Sequence, residues 1–331
     1  MTELKINIDN NSSVLKFQQL VDSIVDAISQ NQLKEGEMLP SVNQIMKKTQ
    51  LSRDTVFKAY AELKRRGIVE SVPNRGYFVT RRITKVFLFL DTFKAYKEVL
   101  YHSFLNHLPK GISVDLHFHH YNIDVFEKII EESLGKYSKY VIMNFDNRKV
   151  SKIISRIPQE QLLIIDWKIN AAKNHSVVYQ DFGEALYRCL FENRTAINKY
   201  REFVLYYPAF TYHPKETIEY FQKFCDENAI HSRVIYENEA FKVQNGSLYL
   251  LVSDRTLANL LDQCAELGFE PGKEIGVISY NETPMKKYVK NGITVISTDF
   301  TLMGQKAAEF VSSNKSMKFE VPTSMKIRSS L

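Results

Sequence analysis

Cysteine and tryptophan are scarce in this chain of 331 residues, and long apolar runs are missing. The three cysteines, Cys189, Cys225 and Cys264, are odd in number and outside any metal-ligand spacing, which predicts reduced thiols in a cytoplasmic protein. No stretch approaches the roughly 20 apolar residues that span a bilayer, and the polar first residues lack a signal-peptide core. The composition is typical of a globular chain with two or three folding units and no membrane partner.

The glycine motifs of common enzyme classes are also missing. Neither G-x-G-x-x-G nor G-x-x-x-x-G-K-[ST] occurs, and Gly268, Gly272 and Gly276 are too widely spaced for a phosphate cradle. A G-x-S-x-G nucleophile elbow is absent as well. Together with the basic N-terminal region described next, these absences weigh against catalysis. We expect no catalytic residues, no cofactor and no metal.

The positive charge of the chain is concentrated in one segment. Residues 33–82 contain eleven Lys and Arg against five acidic residues, an excess equal to the net charge of +6 of the whole chain. A compact basic patch is typical of proteins that bind a phosphate backbone. On charge alone, a solvated basic face explains the excess equally well.

Apolar spacing and capping residues predict three helices and a hairpin around this segment. The apolar stripe over residues 17–28 predicts a helix that ends near Gln32. Ser41 and Gln44 have capping-box spacing for a second helix, and Ser52 can cap a third. Two β-prone segments flank residues 73–76, as in a hairpin. Three helices and a hairpin make a winged helix-turn-helix, which implies double-stranded DNA as the partner.

The candidate DNA contacts lie on the third helix and the wing. In helix-turn-helix docking, the N-terminal residues of the recognition helix meet base edges. Arg53 suits a bidentate contact with guanine, Lys58 suits a phosphate, and Arg75 would approach the backbone or minor groove from the wing. The alternative is that these are surface charges on a protein-binding winged helix. The full set of candidates is Ser41, Asn43, Ser52, Arg53, Thr55, Lys58 and Arg75.

The string LPSVNQIMKKTQLSRDTVFKAYAELKRRGIVESVPNRGYFV resembles the DNA-binding domain of the GntR family of bacterial regulators. The resemblance covers roughly residues 15–80. Two positions depart from the family pattern: Asn43 stands where the family often has Arg, and Asn74-Arg75-Gly76 replaces a Gly-x-Gly turn. Asn tolerates a positive φ, so we expect the turn to survive, but the operator sequence cannot be inferred from the family.

Short apolar strands alternate with amphipathic helices after Lys85. Strands are predicted over residues 86–91, 140–145 and 162–167, and again over 247–254, with helices between them. One short helix is predicted near 239–243. This alternation indicates two α/β lobes with parallel sheets and a ligand between them at the carboxyl ends of the strands.

The stretch from LYLLVSDRTLANLL to TVISTDFTLMGQKAAEFV resembles the effector domain of LacI-type repressors, a type I periplasmic-binding-protein fold. A GntR-type head on such a sensor is the layout of arabinose-type repressors, and the resemblance suggests a repressor of fucose utilisation. It implies effector contacts at strand ends and the loops after them. Those positions carry Phe93, Asn144, Asp166, Trp167, Lys215, Phe241, Asp254, Asn281 and Phe300.

This set suits a sugar, because carboxylates and amides satisfy paired hydroxyls while aromatic faces take the C–H side of the ring. Each member has a plainer explanation: the phenylalanines as core residues, and Asp254 as the cap of a helix that begins at Arg255. A family arginine for sugar hydroxyls falls at Thr217, two residues after Lys215. His117, His119 and His120 alternate like strand residues and lack a fourth metal ligand.

The sequence therefore predicts a homodimeric, sugar-responsive repressor with its head over 1–81 and its sensor over 82–331. The linker around Arg81-Arg82-Ile83 would couple the two domains. An aminotransferase fusion using pyridoxal phosphate is a competitor, but about 250 residues after the head are too few for that domain. The other alternative is a DNA-binding protein whose α/β domain serves dimerisation or partner binding without a small molecule.

Overall fold

A computed structural model describes residues 6–9, 12–29, 32–73, 75–80, 85–168, 175–237, 241–313 and 315–331. The chain divides into two compact units, residues 1–83 and 84–331. The linker residues Arg81-Arg82-Ile83 and the wing residue Asn74, which carry two of the predictions above, lie outside the described residues. No helix in the described ranges has both the length and the apolar character needed to cross a bilayer.

The first unit is a winged helix-turn-helix, as predicted. Ser41 and Gln44 form the expected capping box, and the Ser52 hydroxyl accepts a hydrogen bond from the Thr55 amide. Tyr60 is fully buried and donates from its hydroxyl to the Pro40 carbonyl at 2.6 Å, which ties the third helix to the turn before the second. The elements are α1 (Lys16–Ser29), α2 (Val42–Thr49), α3 (Arg53–Arg65) and the antiparallel pair β1 (Val69–Val72) and β2 (Gly76–Val79).

The second unit contains two α/β lobes, which confirms the predicted fold class. The sheet of the first lobe is parallel throughout, in the order β13-β7-β6-β5-β3-β4. Its strands are β3 (Lys85–Leu90), β4 (Ser113–Phe118), β5 (Lys139–Met143), β6 (Leu162–Asp166), β7 (Ser176–Tyr179) and β13 (Lys318–Glu320). Its helices are α4 (Ala95–His107), α5 (Ile123–Ser133), α6 (Val150–Ile154) and α11 (Phe300–Ser312).

The sheet of the second lobe has the order β14-β12-β11-β10-β8-β9, and only β14 runs antiparallel to its neighbour. All three cysteines are free and buried in this lobe. Its strands are β8 (Glu202–Tyr206), β9 (Ser232–Ile235), β10 (Ser247–Leu251), β11 (Gly276–Tyr280), β12 (Thr294–Thr298) and β14 (Thr323–Lys326). Its helices are α7 (Glu184–Glu192), α8 (Arg194–Ile197), α9 (Glu216–Glu227) and α10 (Asp254–Leu267).

The chain passes between the lobes three times, after β7, after β12 and after β13. One buried polar side chain from each crossover takes part in a single cluster. The Thr298 hydroxyl donates to Gln180 Oε1 at 2.6 Å and lies 2.7 Å from the Thr323 hydroxyl. The three connections are therefore tied together by side-chain hydrogen bonds as well as by the backbone.

The structure corrects one predicted element and adds several. Residues 241–243 are not helical, and 238–240 lie outside the described residues. Phe241 and Val243 are both buried in the core of the second lobe, and their spacing of two residues is that of an extended segment. Strands β7, β13 and β14 were not predicted, since strands of three or four residues carry little periodic signal. Helix α7 was not predicted either.

Candidate DNA-binding face and interlobe ligand site

The exposed face of α3 carries the basic side chains that were predicted to contact DNA. Arg53 and Lys58 are exposed near its N-terminal end, and Arg75 is exposed on the wing. Asn43 is exposed on α2. None of these four side chains caps a helix, and each is exposed where it could contact a DNA duplex.

The three hydroxyl side chains in the predicted set take part in hydrogen bonds at the helix ends. The Ser41 hydroxyl accepts from the Gln44 amide at 3.3 Å. The Ser52 hydroxyl accepts from the Thr55 amide at 3.2 Å and lies 2.8 Å from the Thr55 hydroxyl. These groups orient the helices, and a contact with DNA would have to share them with the caps.

We expect Arg53→Ala to weaken binding to a specific operator by about 1–3 kcal/mol, the worth of a bidentate base contact. Lys58→Ala should instead weaken binding to all sequences alike and flatten its salt dependence, because a phosphate contact carries no base information. Titration of the full chain with specific and scrambled duplexes at several salt concentrations measures both effects. Equal losses on both duplexes for Arg53→Ala would show that the two roles are misassigned.

Between the lobes lies a cavity of about 120 Å³ at the carboxyl ends of β3, β6, β10 and β11. An adjoining cavity of about 910 Å³ shares Asn144, Trp167 and Tyr212 with it and includes Lys215. The first lobe and its first crossover contribute Asp91, Lys94, Tyr96, Tyr121, Asn144, Asp166, Trp167 and Gln180 to the smaller cavity. The second lobe contributes Phe182, Phe210, Thr211, Tyr212, His213, Pro214, Val252, Ser253, Asp254, Tyr280 and Asn281.

The tertiary structure brings six of the nine predicted effector residues to this cleft: Asn144, Asp166, Trp167, Lys215, Asp254 and Asn281. Thr217, the position of the family arginine, points away into the core. It is fully buried, and its hydroxyl lies 2.8 Å from His213 Nε2.

The three predicted phenylalanines do not line either of these two cavities. Phe241 is buried and stacks on Tyr206, with ring centroids 4.3 Å apart. Phe300 is buried at the start of α11 against Tyr96. Phe93 is exposed and contacts the rings of Tyr101 and Phe118. Packing within the lobes accounts for Phe241 and Phe300, whereas Phe93 is an exposed ring outside the two cavities.

Asp254 is held by a buried lysine and is not a helix cap. Helix α10 begins at Asp254, and its N-cap is Ser253, whose hydroxyl accepts from the Thr256 amide. Lys286 Nζ lies 2.8 Å from Asp254 Oδ1 and donates to the carbonyls of Tyr280 and Asn281 at 2.9 and 2.7 Å. Lys286 therefore fixes the Asp254 carboxylate and the turn after β11 in one arrangement.

Three buried polar atoms in this cleft have no hydrogen-bond partner among the described residues: Asn144 Oδ1, Asn281 Oδ1 and the Tyr280 hydroxyl. A buried polar atom left unpaired costs about 1–3 kcal/mol, and each such atom in a native protein calls for an explanation. The two amides come from opposite lobes, and the Asn281 backbone has a left-handed φ of 61°. A polar ligand between the lobes would satisfy these atoms.

The Asp166 carboxylate is a further polar group in the small cavity. Its backbone has a φ of 76°, and it accepts a hydrogen bond from the Gln180 side-chain amide. Burial raises the pKa of Asp166 to about 6, with a further increase from Asp91, while Lys97 acts in the opposite direction. Gln180 also accepts a hydrogen bond from the Thr298 hydroxyl. A ligand bound to Asp166 would therefore be connected to the crossover cluster through the hydrogen bond between Asp166 and Gln180.

Sequence reasoning missed the buried ion pair of Asp91 and Lys97. Lys97 is fully buried on α4, and its ammonium contacts the Asp91 carboxylate. Asp91 also accepts from the Tyr121 hydroxyl and the Thr92 amide. Asp91 directly follows a buried strand, the same signal that selected Asp166, and could have been found from it. Lys97 gave no such signal, because only the tertiary fold brings α4 close to the carboxyl end of β3, where Asp91 lies.

Tyr121 and Tyr212 stack across the cleft, with parallel rings 3.8 Å apart. His119 holds Tyr121 in place: its Nδ1 accepts from the Tyr121 amide at 3.1 Å, so its Nε2 carries the proton and donates to the Met143 carbonyl. Burial lowers the pKa of His119 to about 4, which keeps the ring neutral at pH 7. His120 and Tyr121 both have left-handed φ angles, of 49° and 59°.

The histidines near this stack therefore serve packing. β4 ends at Phe118, so His119 and His120 follow the strand and do not continue its alternation. His117 packs on Phe87 and His120 on Phe118. Across the described ranges, no group of three or more His, Cys, Asp or Glu side chains is arranged to hold a metal ion.

Comparison with known proteins matches each unit separately. Residues 16–79 match the family described as bacterial regulatory proteins of the gntR family, and residues 196–330 match a periplasmic binding protein-like domain. The repressor YtrA of Bacillus subtilis (strain 168) is 33% identical over 75 residues, which are 23% of this chain and 58% of YtrA. The chain spans between 16% and 58% of the length of the curated relatives it matches.

Solved repressors share the fold at low sequence identity. The trehalose repressor from Escherichia coli has a TM-score of 0.63 at 14% identity, over 73% of this chain and all of that one. A dimeric Lac repressor has a TM-score of 0.63 at 16% identity, over 74% of this chain and 98% of that one.

The two matches describe different parts of this chain: its head matches the gntR family, and its second lobe matches the periplasmic binding protein-like domain. The two-lobed unit has the fold of the solved trehalose and Lac repressors.

Proposed function

We propose that the protein is a repressor of sugar-utilisation genes and that a neutral monosaccharide, L-fucose or a similar sugar, binds between its lobes and changes its affinity for DNA. The observation that carries this proposal is the set of unpaired buried polar atoms contributed by both lobes to one cavity. YtrA is described as a repressor, and the trehalose repressor takes its name from a sugar. These descriptions support the proposal by analogy.

The chemistry of the cavity favours a neutral polyol over a sugar phosphate. Asn144 Oδ1, Asn281 Oδ1 and the carboxylates of Asp166 and Asp254 are hydrogen-bond acceptors, which sugar hydroxyls can satisfy by donation. The described lining of the smaller cavity contains one lysine, Lys94, against the three carboxylates of Asp91, Asp166 and Asp254, and the nearby Lys97 and Lys286 are engaged with Asp91 and Asp254. Among the described residues that line the two cavities there is no arginine, the side chain best shaped to bind a phosphate.

Ligand binding would act on DNA through closure of the lobes. A sugar that contacts Asn144 and Asn281 together binds tightly only when the lobes are close, and it therefore shifts the population toward the closed state. Asp166 would transmit its contact through Gln180 to Thr298 at the crossovers. We propose a homodimer on two half-sites, since helix-turn-helix proteins commonly bind DNA in this way and the Lac repressor compared above is described as dimeric.

We expect Asn144→Ala to weaken sugar binding about ten-fold or more, because it removes the partner of a buried ligand hydroxyl. Asn281→Gly should have a similar effect, and glycine is preferred there because alanine would be strained at a φ of 61°. Trp167 is the only tryptophan and lines the cleft, so a fluorescence titration with fucose, arabinose and their phosphates measures affinity directly.

Phe93→Ala is the matched control, because Phe93 is an aromatic predicted for the site that does not line either cavity; we expect its sugar affinity to equal that of the wild type. A folded Asn144→Ala variant with unchanged affinity would contradict the position of the site. If no monosaccharide shifts the melting temperature of the full chain, the sugar is the wrong ligand class, and dimerisation or partner binding becomes the better account of the α/β unit.

A further inference from the structure

An aromatic side chain is exposed on the face of α3 that would meet DNA. Phe57 has 40% of its surface accessible, while the inward face of this helix consists of Val56, Ala59, Tyr60 and Leu63. Phe57 therefore contributes little to the core of the head. Single exposed aromatics are common on protein surfaces, but this ring lies beside Arg53 on the helix face that is predicted to meet DNA, where it can offer apolar surface to a base.

Phe57 lies next to the predicted guanine contact. Arg53 and Phe57 are four residues apart on the same helix face, and the Arg53 guanidinium lies over the Phe57 ring, 5.5 Å from its centroid. Four residues advance a helix by about 6 Å, which corresponds to one or two base-pair steps of roughly 3.4 Å. Ala61, one turn further, is small and exposed, so a duplex could approach closely there.

The major groove presents one strongly apolar group, the C5-methyl of thymine, and phenylalanine is one of the side chains that contact it. We propose that Phe57 is a specificity-determining residue that packs on a thymine methyl one or two base pairs from the guanine bound by Arg53. This inference rests on the proposed role of α3 in base recognition. It adds a base preference that the charges of the helix do not supply.

The test uses duplexes selected by the full chain from a random library, which are expected to contain two half-sites. Each thymine is replaced singly by deoxyuridine, which removes the methyl and leaves base pairing intact. One position in each half-site should lose affinity about four-fold, the equivalent of the roughly 0.8 kcal/mol of one buried methylene group. Phe57→Ala should bind the thymine and uracil duplexes equally at that position.

Two further variants separate the contact from its alternatives. Lys58→Ala, a change on the same exposed surface, should keep the wild-type preference for thymine over uracil, and Phe57→Leu should keep part of it. A preference that survives in Phe57→Ala, or a wild type indifferent to uracil at every position, would overturn the proposal.

A different outcome would assign Phe57 a positioning role. If Phe57→Ala loses discrimination at the guanine while its thymine preference is unchanged, the ring only orients Arg53, and the methyl contact is wrong. A selection that enriches no sequence contradicts base recognition by α3 itself, and this inference fails with it.

Discussion

Replacing Lys97 with methionine is expected to destabilise the sensor by about 3–5 kcal/mol at neutral pH, because it leaves the Asp91 carboxylate buried without its partner. Burial alone would raise the pKa of Asp91, but Lys97, together with the hydrogen bonds from Tyr121 and Thr92, holds this pKa below its ordinary value. The stabilisation is therefore present at neutral pH and is lost as the pH falls through the lowered pKa of Asp91. Urea unfolding of the full chain, followed by Trp167 fluorescence, measures the change.

A surface ion pair of the same lobe provides the control. Lys85 Nζ lies 2.6 Å from Asp115 Oδ2, but both side chains are more than a third accessible, at 43% for Lys85 and 34% for Asp115. Lys85→Met should therefore change stability by no more than about 1 kcal/mol. The double variant Asp91→Asn with Lys97→Met should recover much of the loss, since no buried charge remains. A Lys97→Met variant as stable as Lys85→Met would contradict the buried pair.

Replacing Asp166 with asparagine is expected to stabilise the protein at pH 7 by about 2–3 kcal/mol while weakening sugar binding. The pKa of Asp166 is raised to about 6 from an ordinary value of 3.8, mainly by burial. Each pKa unit of this difference corresponds to about 1.36 kcal/mol in the free energy of unfolding. Because the folded state holds its proton more tightly, ionisation of Asp166 costs stability as the pH rises from about 4 to 6. The advantage of asparagine should appear over that range and level off above it.

The measurement is the free energy of unfolding at pH 4, 5, 6 and 7 for both proteins. Asp254→Asn is the opposing control, because it removes the partner of the buried Lys286 and should lower stability at pH 7. An Asp166→Asn variant that is less stable than the wild type at pH 7, or equally stable at every pH, would show that ionisation of Asp166 does not destabilise the folded protein. A costly, half-buried carboxylate that lines a cavity is what a ligand-binding role would retain, at the expense of stability.

Much of the site could be predicted because strand ends are visible in a sequence. Asn144, Asp166 and Asp254 each lie at or just after an apolar strand, and parallel strands end on the same side of a sheet. Phe300 likewise lies two residues after the end of β12, yet its ring turns into the core. Strand position specifies where a residue is, but side-chain direction depends on neighbours from elements distant in sequence.

The sequence by itself determined the local features: the three helices of the head with their Ser41 and Ser52 caps, the wing, the basic excess and the alternating α/β units. These follow from interactions within a few residues, so periodicity and capping chemistry are sufficient to predict them. The tertiary structure alone decided which lobe each late element joins, the pairing of Lys97 with Asp91, the stacking of Tyr121 on Tyr212 and the cluster at the three crossovers. In each of these cases the partners belong to different segments of the chain, and only packing of the lobes brings them within bonding distance.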